Sequence, residues 1–227
     1  NEIIEDYSNY EFHLVYQKIL NFCTNELGSF YLDILKDRLY TSKKSGTARI
    51  SAQATIKNLL DKLLIWIAPI LSFTAEEAFR EFYKDKKSIF LESFSSSSND
   101  ISLSLDEDAW KILSEIKIEA NKLLEEKRND GIIGSSLDAE VKIFCNSETF
   151  LRLSPCIDEL KFLLIVSDVS LEVGDNDEEF SFSIEVKLSE KEKCDRCWHH
   201  TGNLKTILDS NLCSRCIENV EGEGEKR

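Results

Sequence analysis

The chain has 227 residues, of which 42% are hydrophobic, and its formal net charge at neutral pH is -14. This length and apolar content allow one or two domains with buried cores, and only two prolines and eight glycines favour a largely helical protein. The acidic balance argues against general affinity for nucleic acid, including DNA, because nonspecific phosphate binding needs clustered cations.

The chain carries neither a membrane-spanning pattern nor an export signal. Its most apolar run, Leu59 to Leu71, is interrupted by charges and by Pro69 and is too short to span a bilayer. The acidic N-terminus NEIIEDYSNY lacks the basic and apolar regions of a signal peptide. We therefore expect a cytoplasmic, reducing setting. Because the chain begins with Asn1 and contains no methionine, we also expect it to be a segment of a longer gene product.

Helical periodicity dominates the first 93 residues. Apolar positions recur every three or four residues from Phe12 to Cys23 and again from Phe30 to Leu39, and Gly28 is predicted to separate these two helices. A third helix is predicted from about Ala48 to Ile67.

Pro69 is predicted to stop the third helix. Thr74 and Glu77 then have the form of a capping box opening a fourth helix through Phe79 and Phe82. Because the connections are short, four such helices predict an antiparallel bundle over residues 1–93.

Positive charge is concentrated between the second and third predicted helices. Five cations and one acid lie in this stretch: Lys36, Arg38, Lys43, Lys44 and Arg49, with Asp37. A basic patch on an acidic body would steer a polyanion to one face, so these cations are candidate RNA contacts. An ordinary solvated loop is the alternative on charge alone.

A linker and one more helix are predicted over residues 94–130. The stretch from Ser93 to Ser104 is rich in serine, which is typical of a linker. Beyond it, apolar residues at helical spacing predict a fifth helix, capped by Asp106 and finished before Gly131.

Residues 131–188 are predicted to form a small α+β unit. Strands are expected at Ala139–Cys145 and Leu163–Val173, and the alternation from Phe180 to Lys187 is the clearest strand pattern in the chain. Ser154 and Pro155 have the form of a helix N-cap followed by proline at the first helical position. The order strand, helix, strand, strand suggests an α+β arrangement.

Two Cys-x-x-Cys pairs, fifteen residues apart, mark the last segment, residues 189–227. Cys194, Cys197, Cys213 and Cys216 can supply the four soft ligands that a tetrahedral, structural Zn²⁺ requires. A redox dithiol and a disulfide framework are the alternatives, and both fit less well. Such a closed site leaves no coordination position for catalysis.

The first pair carries an aromatic residue beside a cation. Arg196 and Trp198 suit contact with a phosphate and stacking on an unpaired base, although Trp198 could equally form the small core of the module. His199 and His200 are expected to be spectators because four cysteines already satisfy the metal.

No catalytic constellation is predicted. The sequence has only three histidines and no glycine-rich phosphate loop, and no nucleophile has a suitably spaced base. The predicted fold class is mainly α: an antiparallel helical bundle, a small α+β unit and a C-terminal four-cysteine zinc module. This is a binding architecture.

The residues also resemble a known family. Two stretches, Tyr10–Cys23 and Glu26–Tyr40, closely resemble the anticodon-binding helical domain of bacterial isoleucyl-tRNA synthetases, as do Trp66–Glu77, Ser88–Ser93 and Ile133–Glu140. The ending, from Cys194 to Arg227, is similar to the C-terminal zinc-binding module of these enzymes. The resemblance covers nearly the whole chain.

The resemblance implies a role in a larger enzyme. Such synthetases use ATP, with Mg²⁺, to charge tRNA with isoleucine, but their HIGH and KMSKS catalytic signatures are absent from this sequence. The segment is therefore expected to be noncatalytic and to hold the anticodon arm of isoleucine tRNA beside the remaining domains of the same enzyme. By the same resemblance, Arg196 and Trp198 lie on the family's Arg-Cys-Trp stretch and are the main candidates for the anticodon contact. Lys36 and Arg38 lie on its Lys-Asp-Arg-Leu-Tyr stretch, where a structural role is equally possible.

Two other functions are compatible with parts of the sequence. A repair glycosylase of the formamidopyrimidine type carries a comparable four-cysteine finger, but it depends on an N-terminal proline followed by glutamate, and here Asn1 precedes Glu2. A protein-interaction zinc module on a helical scaffold is the other alternative, and the acidic charge favours it.

Overall fold

The computed structural model describes residues 1–94, 105–174, 182–207 and 209–226. Most of the predicted Ser93–Ser104 linker, and Phe180 at the start of the last predicted strand, lie outside these ranges. The chain divides into two compact units. The first comprises Asn1–Leu39, Lys44–Ile101 and Lys226–Arg227, and the second comprises Tyr40–Lys43 and Ser102–Glu225.

The first unit is helical throughout its described elements. These elements are α1 (Glu2–Ser8), α2 (Phe12–Asn21), α3 (Leu32–Thr41), α4 (Thr47–Ile67) and α5 (Ser72–Phe82), and a short 3-10 turn follows at Ile89–Leu91. The predicted third helix and its stop before Pro69 are confirmed. Among the described helices, none is both long and apolar enough to cross a membrane.

The predicted break at Gly28 is wrong. A π-helical segment, Phe22–Tyr31, joins α2 to α3 without interruption. Gly28 lies inside this segment, and a β-carbon there would come within 2.9 Å of the Cys23 carbonyl oxygen. The glycine therefore permits a close backbone approach in the wider turn, where the sequence pattern predicted an end.

The fourth predicted helix begins earlier than its capping motif indicated. α5 starts at Ser72 with Leu71 at the N-cap position, so Thr74 is inside the first turn and the predicted capping box is wrong. α4 and α5 share a buried apolar cluster: Leu64, Ala68, Ala75, Phe79 and Ile89. Of the predicted stripe on α2, Val15 and Ile19 are buried, whereas Phe12 and Tyr16 are exposed. The antiparallel bundle remains a prediction.

The second unit contains a small three-stranded sheet. Its central strand β1 (Ala139–Cys145) pairs in parallel with β2 (Asp168–Val173) and antiparallel with β3 (Phe182–Leu188). The predicted strand at Ala139–Cys145 is confirmed, and alternate residues along it are fully buried. The long helix α6 (Glu107–Asn129) is capped by Asp106, whose carboxylate accepts a hydrogen bond from the Ala109 N–H at 2.7 Å, as predicted.

Two short helices, α7 (Ser147–Leu153) and α8 (Ile157–Leu164), connect β1 to β2. The sequence pattern did not predict α7, and Pro155 lies in a 3-10 turn between the two helices. The predicted strand start at Leu163 is wrong because α8 continues to Leu164 and ends at Ile165, which adopts a left-handed conformation. A continuous apolar run does not distinguish a buried helix from a buried strand.

α6 packs in the same core as the sheet. This core contains Ile112, Ile116, Ala120 and Leu124 of α6 with Val141, Ile143, Leu160 and Leu164. The helix assigned by sequence to the connecting range 94–130 therefore contributes directly to the α+β unit. The four predicted domain ranges remain a prediction.

The carboxylate of Glu140 on β1 forms hydrogen bonds and ion pairs with residues at the end of β3 and just beyond it. Its carboxylate accepts hydrogen bonds from Ser189 Oγ at 2.8 Å and from the ammonium of Lys191 at 3.0 Å, and Lys187 lies 3.1 Å away. Burial alone would raise the pKa of this carboxyl, but these hydrogen bonds lower it to about 2. A lowered pKa stabilises the fold above the unfolded-state value, and this contribution is lost as pH falls through the folded-state value.

We expect Glu140→Gln to lower the free energy of unfolding at pH 7 by about 1 kcal/mol, since both lysines are partly solvated. The variant should also flatten the pH dependence of stability between about pH 5 and pH 2. Denaturant titrations across that range measure both effects. Glu185→Gln, at an exposed position on β3, is the control. An unchanged profile for Glu140→Gln would contradict the assignment.

Candidate metal centre and nucleic-acid interface

The last part of the second unit is built from short hairpins. β4 (Glu192–Lys193) pairs with β5 (His200–Thr201), and β6 (Leu204–Ile207) pairs with β7 (Ser210–Cys213). α9 (Ser214–Val220) follows at once. Each Cys-x-x-Cys pair thus lies where a strand ends and the chain turns, which aims both thiols of a pair in one direction.

Cys194, Cys197, Cys213 and Cys216 converge as the sequence predicted. Their four sulfur atoms all lie within 4.8 Å of one another, and all four residues are buried. The sulfurs of Cys197 and Cys213 are 3.7 Å apart. Four thiolates around a tetrahedral Zn²⁺ at about 2.3 Å would be separated by about 3.8 Å. The donor set therefore fits a metal ion of this type.

Backbone N–H groups within the cluster donate hydrogen bonds to the cysteine sulfurs. The N–H of Cys213 donates to Cys194 Sγ at 3.3 Å, and the N–H of Cys216 donates to Cys213 Sγ at 3.4 Å. Hydrogen bonds from Cys197 and Cys216 lower the pKa of Cys213, whereas hydrogen bonds with Cys197 and Cys213 raise the pKa of Cys216. Crowded thiols cannot all ionise together without a cation, which is the role that a bound metal ion would fill.

The two adjacent histidines make contacts outside the four-sulfur cluster. His199 is buried, with Nδ1 at 3.2 Å from the Cys197 carbonyl oxygen and its ring at 5.6 Å from that of Phe162. Nδ1 of His200 lies 2.7 Å from the Lys191 carbonyl oxygen, and Nε2 is 3.4 Å from Asp138. That both histidines are spectators of the metal site stays a prediction.

Trp198 projects from the first Cys-x-x-Cys turn. Its side chain is 60% exposed, and its backbone has a positive φ of 65°, which the turn imposes on a residue other than glycine. The alternative in which this ring forms the core of the module is therefore wrong; the core beside the cysteines includes Leu212, with Leu204, Ile207 and Ile217 packed against it. The ammonium of Lys193 lies 5.8 Å from the ring centroid.

The Arg196 side chain makes its hydrogen bonds within the second unit. Its guanidinium donates to the Thr41 carbonyl oxygen at 2.5 Å and lies 3.7 Å from Cys216 Sγ. Thr41 belongs to the segment Tyr40–Lys43, which is grouped with the second unit although it begins in the last turn of α3. The side chain predicted to contact RNA thus connects the metal centre to this segment.

Further contacts clamp the same segment. The Lys43 N–H donates to Asn219 Oδ1 at 3.0 Å, and its ammonium donates to the Gly222 carbonyl oxygen at 2.6 Å. Ser42 Oγ donates to Glu225 at 2.6 Å. Gly224 has a φ of 93°, and a β-carbon there would lie 3.0 Å from that of Lys43. No sequence pattern predicted this clamp, and the closely spaced Gly222 and Gly224 were its available signal.

The remaining cations of the basic stretch belong to the first unit. Lys36 is exposed and pairs with Asp33 at 2.6 Å, and Arg38 is half-buried on α3. Lys44 is exposed in the turn before α4, while Arg49 is half-buried within α4. The structure therefore brings Lys43 and Arg196 into one unit and assigns Lys36, Arg38, Lys44 and Arg49 to the other.

Asn219 is the central residue of the clamp. It is 4% exposed, and besides Lys43 it accepts from the Glu225 N–H and donates to Glu225 Oε1, both at 3.2 Å. We expect Asn219→Ala to destabilise the second unit by about 1–2 kcal/mol because it leaves the Lys43 N–H unpaired. Hydrogen exchange at residues 41–43 should accelerate, whereas the exposed-site control Asn203→Ala should leave it unchanged. Equal exchange in both variants would show that Asn219 does not hold the segment.

Taken together, the fold and the site define a mainly helical protein with a small strand-containing unit and a four-cysteine cluster able to hold a metal ion. Residues 1–143 match the family of the anticodon-binding domain of tRNA ligase. The chain belongs to this family.

Similar curated proteins span the whole chain. It is 40% identical over 239 residues to the isoleucine-tRNA ligase of Idiomarina loihiensis and 42% identical over 247 residues to that of Shewanella sp. (strain ANA-3). Each alignment covers 100% of this chain but 25% of the relative. The chain therefore spans about a quarter of the length of these relatives.

Proposed function

We propose that this chain is the part of an isoleucine-tRNA ligase that recognises the anticodon arm of isoleucine tRNA. The family match over residues 1–143, with relatives named isoleucine-tRNA ligase aligned along the entire chain, carries this proposal. On this proposal, ATP and Mg²⁺ serve a catalytic domain elsewhere in the enzyme, in the cytoplasm, and this segment is noncatalytic.

The four-cysteine cluster is proposed to hold one structural Zn²⁺. Sulfur ligands, burial and the separation of Cys197 from Cys213 support zinc, which prefers tetrahedral thiolate sites. The ion would supply the positive charge that keeps the thiolates together. Its contribution is to folding of the β4–α9 segment, since all four positions of a tetrahedral site are filled by protein.

Trp198 is proposed to stack on an unpaired base of the anticodon loop. An exposed indole with a lysine ammonium nearby offers an apolar face and a charge suited to a base and its phosphate. Arg196 would act by positioning this turn, because its guanidinium is bonded to the Thr41 carbonyl. Lys36 and Arg38 are proposed phosphate contacts on charge and on the family resemblance. Lys43, Lys44 and Arg49 are proposed phosphate contacts on charge alone, and Lys43 also serves the clamp.

The proposal is tested by titrating the zinc-loaded chain with isoleucine tRNA and with a tRNA bearing another anticodon, each at two salt concentrations. Preferential binding that falls steeply with salt, and that is lost on zinc removal, is expected. A protein-interaction module is the alternative favoured by the net charge of -14. Equal or absent tRNA binding at both salt concentrations, with zinc present, would favour that alternative.

A further inference from the structure

A hollow of about 330 Å³ opens on the first unit beside the C-terminal end of α5. Five residues line it: Arg80, Tyr83, Lys84, Lys86 and Lys87. Four of them are cationic and none is acidic. On a chain with a net charge of -14, cations gathered around one hollow indicate an anionic ligand.

Tyr83 fixes the first end of the turn that carries these lysines. Its ring packs against Phe79 with centroids 4.9 Å apart, and its hydroxyl is bonded to Asp61 and to the ammonium of Lys57. The Lys86 N–H donates to the Tyr83 carbonyl oxygen at 3.1 Å, which closes the turn. The lysines thus project from a backbone that is held in place.

Glu76 fixes the other end. Its carboxylate accepts from Ser88 Oγ at 2.9 Å and from the Ile89 N–H at 3.0 Å, and Ile89 is 2% exposed in the core shared with α4 and α5. The segment between Tyr83 and Ser88 is therefore tied to α5 at both ends. A preorganised cationic turn loses little conformational entropy when it binds a ligand.

Only two of the four cations that line the hollow form ion pairs. Arg80 pairs with Glu76 and Lys86 pairs with Glu92, each at 2.7 Å. Lys84 and Lys87 are exposed, and neither forms an ion pair with a described residue. The carboxyl end of α5 contributes only about half a negative charge. The exposed acids Glu81 and Asp85 are close in sequence but do not line the hollow, so Lys84 and Lys87 are the cations of its lining that are left to attract an anion.

We propose that this hollow binds phosphate oxygens of an RNA backbone and so gives tRNA a contact region on the first unit in addition to the four-cysteine module. This inference rests on the proposed function for its choice of RNA as the source of phosphate. Backbone contacts fix the position of an RNA without reading its sequence. The hollow therefore contributes to affinity for any tRNA and leaves the anticodon preference to the module.

The test compares the zinc-loaded wild-type chain with the double variant Lys84→Ala/Lys87→Ala. Binding to isoleucine tRNA and to a tRNA with another anticodon is measured over a series of salt concentrations. Each lost phosphate contact should reduce the slope of log affinity against log salt by about 1, so a reduction of about 1 to 2 is expected. Affinity for both tRNAs should fall by the same factor, so their ratio is preserved.

Lys111→Ala/Lys122→Ala is the matched control because it removes the same charge from exposed positions on α6. This control should retain the wild-type salt slope. An equal slope for the two double variants would overturn the inference, and retained tRNA discrimination by the wild type would leave the proposed function intact. A wild type that binds no tRNA would overturn both.

Two further probes identify the source of the anion. Inorganic phosphate at matched ionic strength should perturb the amide resonances of residues 84–87 only weakly, whereas tRNA should perturb them strongly. A stronger effect of inorganic phosphate than of tRNA would show that the hollow binds a small anion and not an RNA backbone. Displacement of tRNA by polyglutamate in the wild type and equally in Lys84→Ala/Lys87→Ala would indicate general charge attraction and overturn the site.

Discussion

Replacing Cys213 with serine is expected to release the metal ion and unfold the β4–α9 segment. The Cys213 sulfur lies 3.7 Å from that of Cys197 and accepts the Cys216 N–H, so both Cys-x-x-Cys pairs lose a partner at once. Structural zinc contributes about 10–16 kcal/mol to the folding of small modules. Removing only an outer-shell partner costs about 10- to 100-fold in metal affinity, so loss of a ligand should cost more than about 100-fold.

Metal content per chain and hydrogen exchange measure this outcome. Exchange should accelerate in residues 192–220 and also at Thr41 and Lys43, because Arg196 and Asn219 hold these residues from within the module. Cys23→Ser, in the first unit, is the control and should retain the metal. If Cys213→Ser keeps a full equivalent of zinc, the four-thiolate assignment fails. If Cys213→Ser loses zinc while its hydrogen exchange is unchanged, the wild-type chain binds the metal but does not need it to maintain the fold.

Replacing Trp198 with alanine is expected to weaken tRNA binding by about 1–3 kcal/mol while leaving the module folded. This corresponds to a loss of affinity of roughly 5- to 150-fold. The ring is 60% exposed, so truncation removes little buried surface, and alanine meets the same strain at a φ of 65°. The effect should therefore appear in binding and not in metal content.

Two variants sharpen this test. Trp198→Phe keeps an aromatic face and should restore most of the affinity. Trp110→Ala removes an indole from α6 that is 41% exposed, and it should leave tRNA binding unchanged. A Trp198→Ala protein with wild-type affinity for tRNA would show that the ring does not stack on a base. Loss of zinc from this variant would show instead that the ring supports the module.

The two tests address different parts of the proposed mechanism. Replacing Cys213 tests whether a metal ion organises the module, whereas replacing Trp198 tests what the organised module contacts. Binding energy gained at the anticodon end would help to place the acceptor end in a catalytic domain elsewhere in the enzyme. A tRNA contact at the hollow beside α5 would add affinity without changing which anticodon is preferred.

Local pattern was sufficient wherever one strong signal governed the structure. The spacing of Cys194, Cys197, Cys213 and Cys216 predicted their convergence because a four-ligand metal site constrains the chain to a few geometries. The strand at Ala139–Cys145 and the Asp106 cap followed from alternation and from side-chain chemistry. Family membership followed from residue-by-residue resemblance, and the match over residues 1–143 confirmed it.

Tertiary contacts decided what local pattern left open. Gly28 predicted a break because glycine is a poor helix former, but a continuous π-helical segment uses it for a close backbone approach. The exposure of Trp198 depended on whether other apolar residues filled the space beside the cysteines, and Leu212, Leu204, Ile207 and Ile217 do so. The role of Arg196 depended on Thr41, which is 155 residues away in sequence. Sequence by itself therefore determined the family and the convergence of the four cysteines. The placement of Trp198 and Arg196 required the folded chain, because burial and long-range hydrogen bonds are properties of groups that only folding brings together.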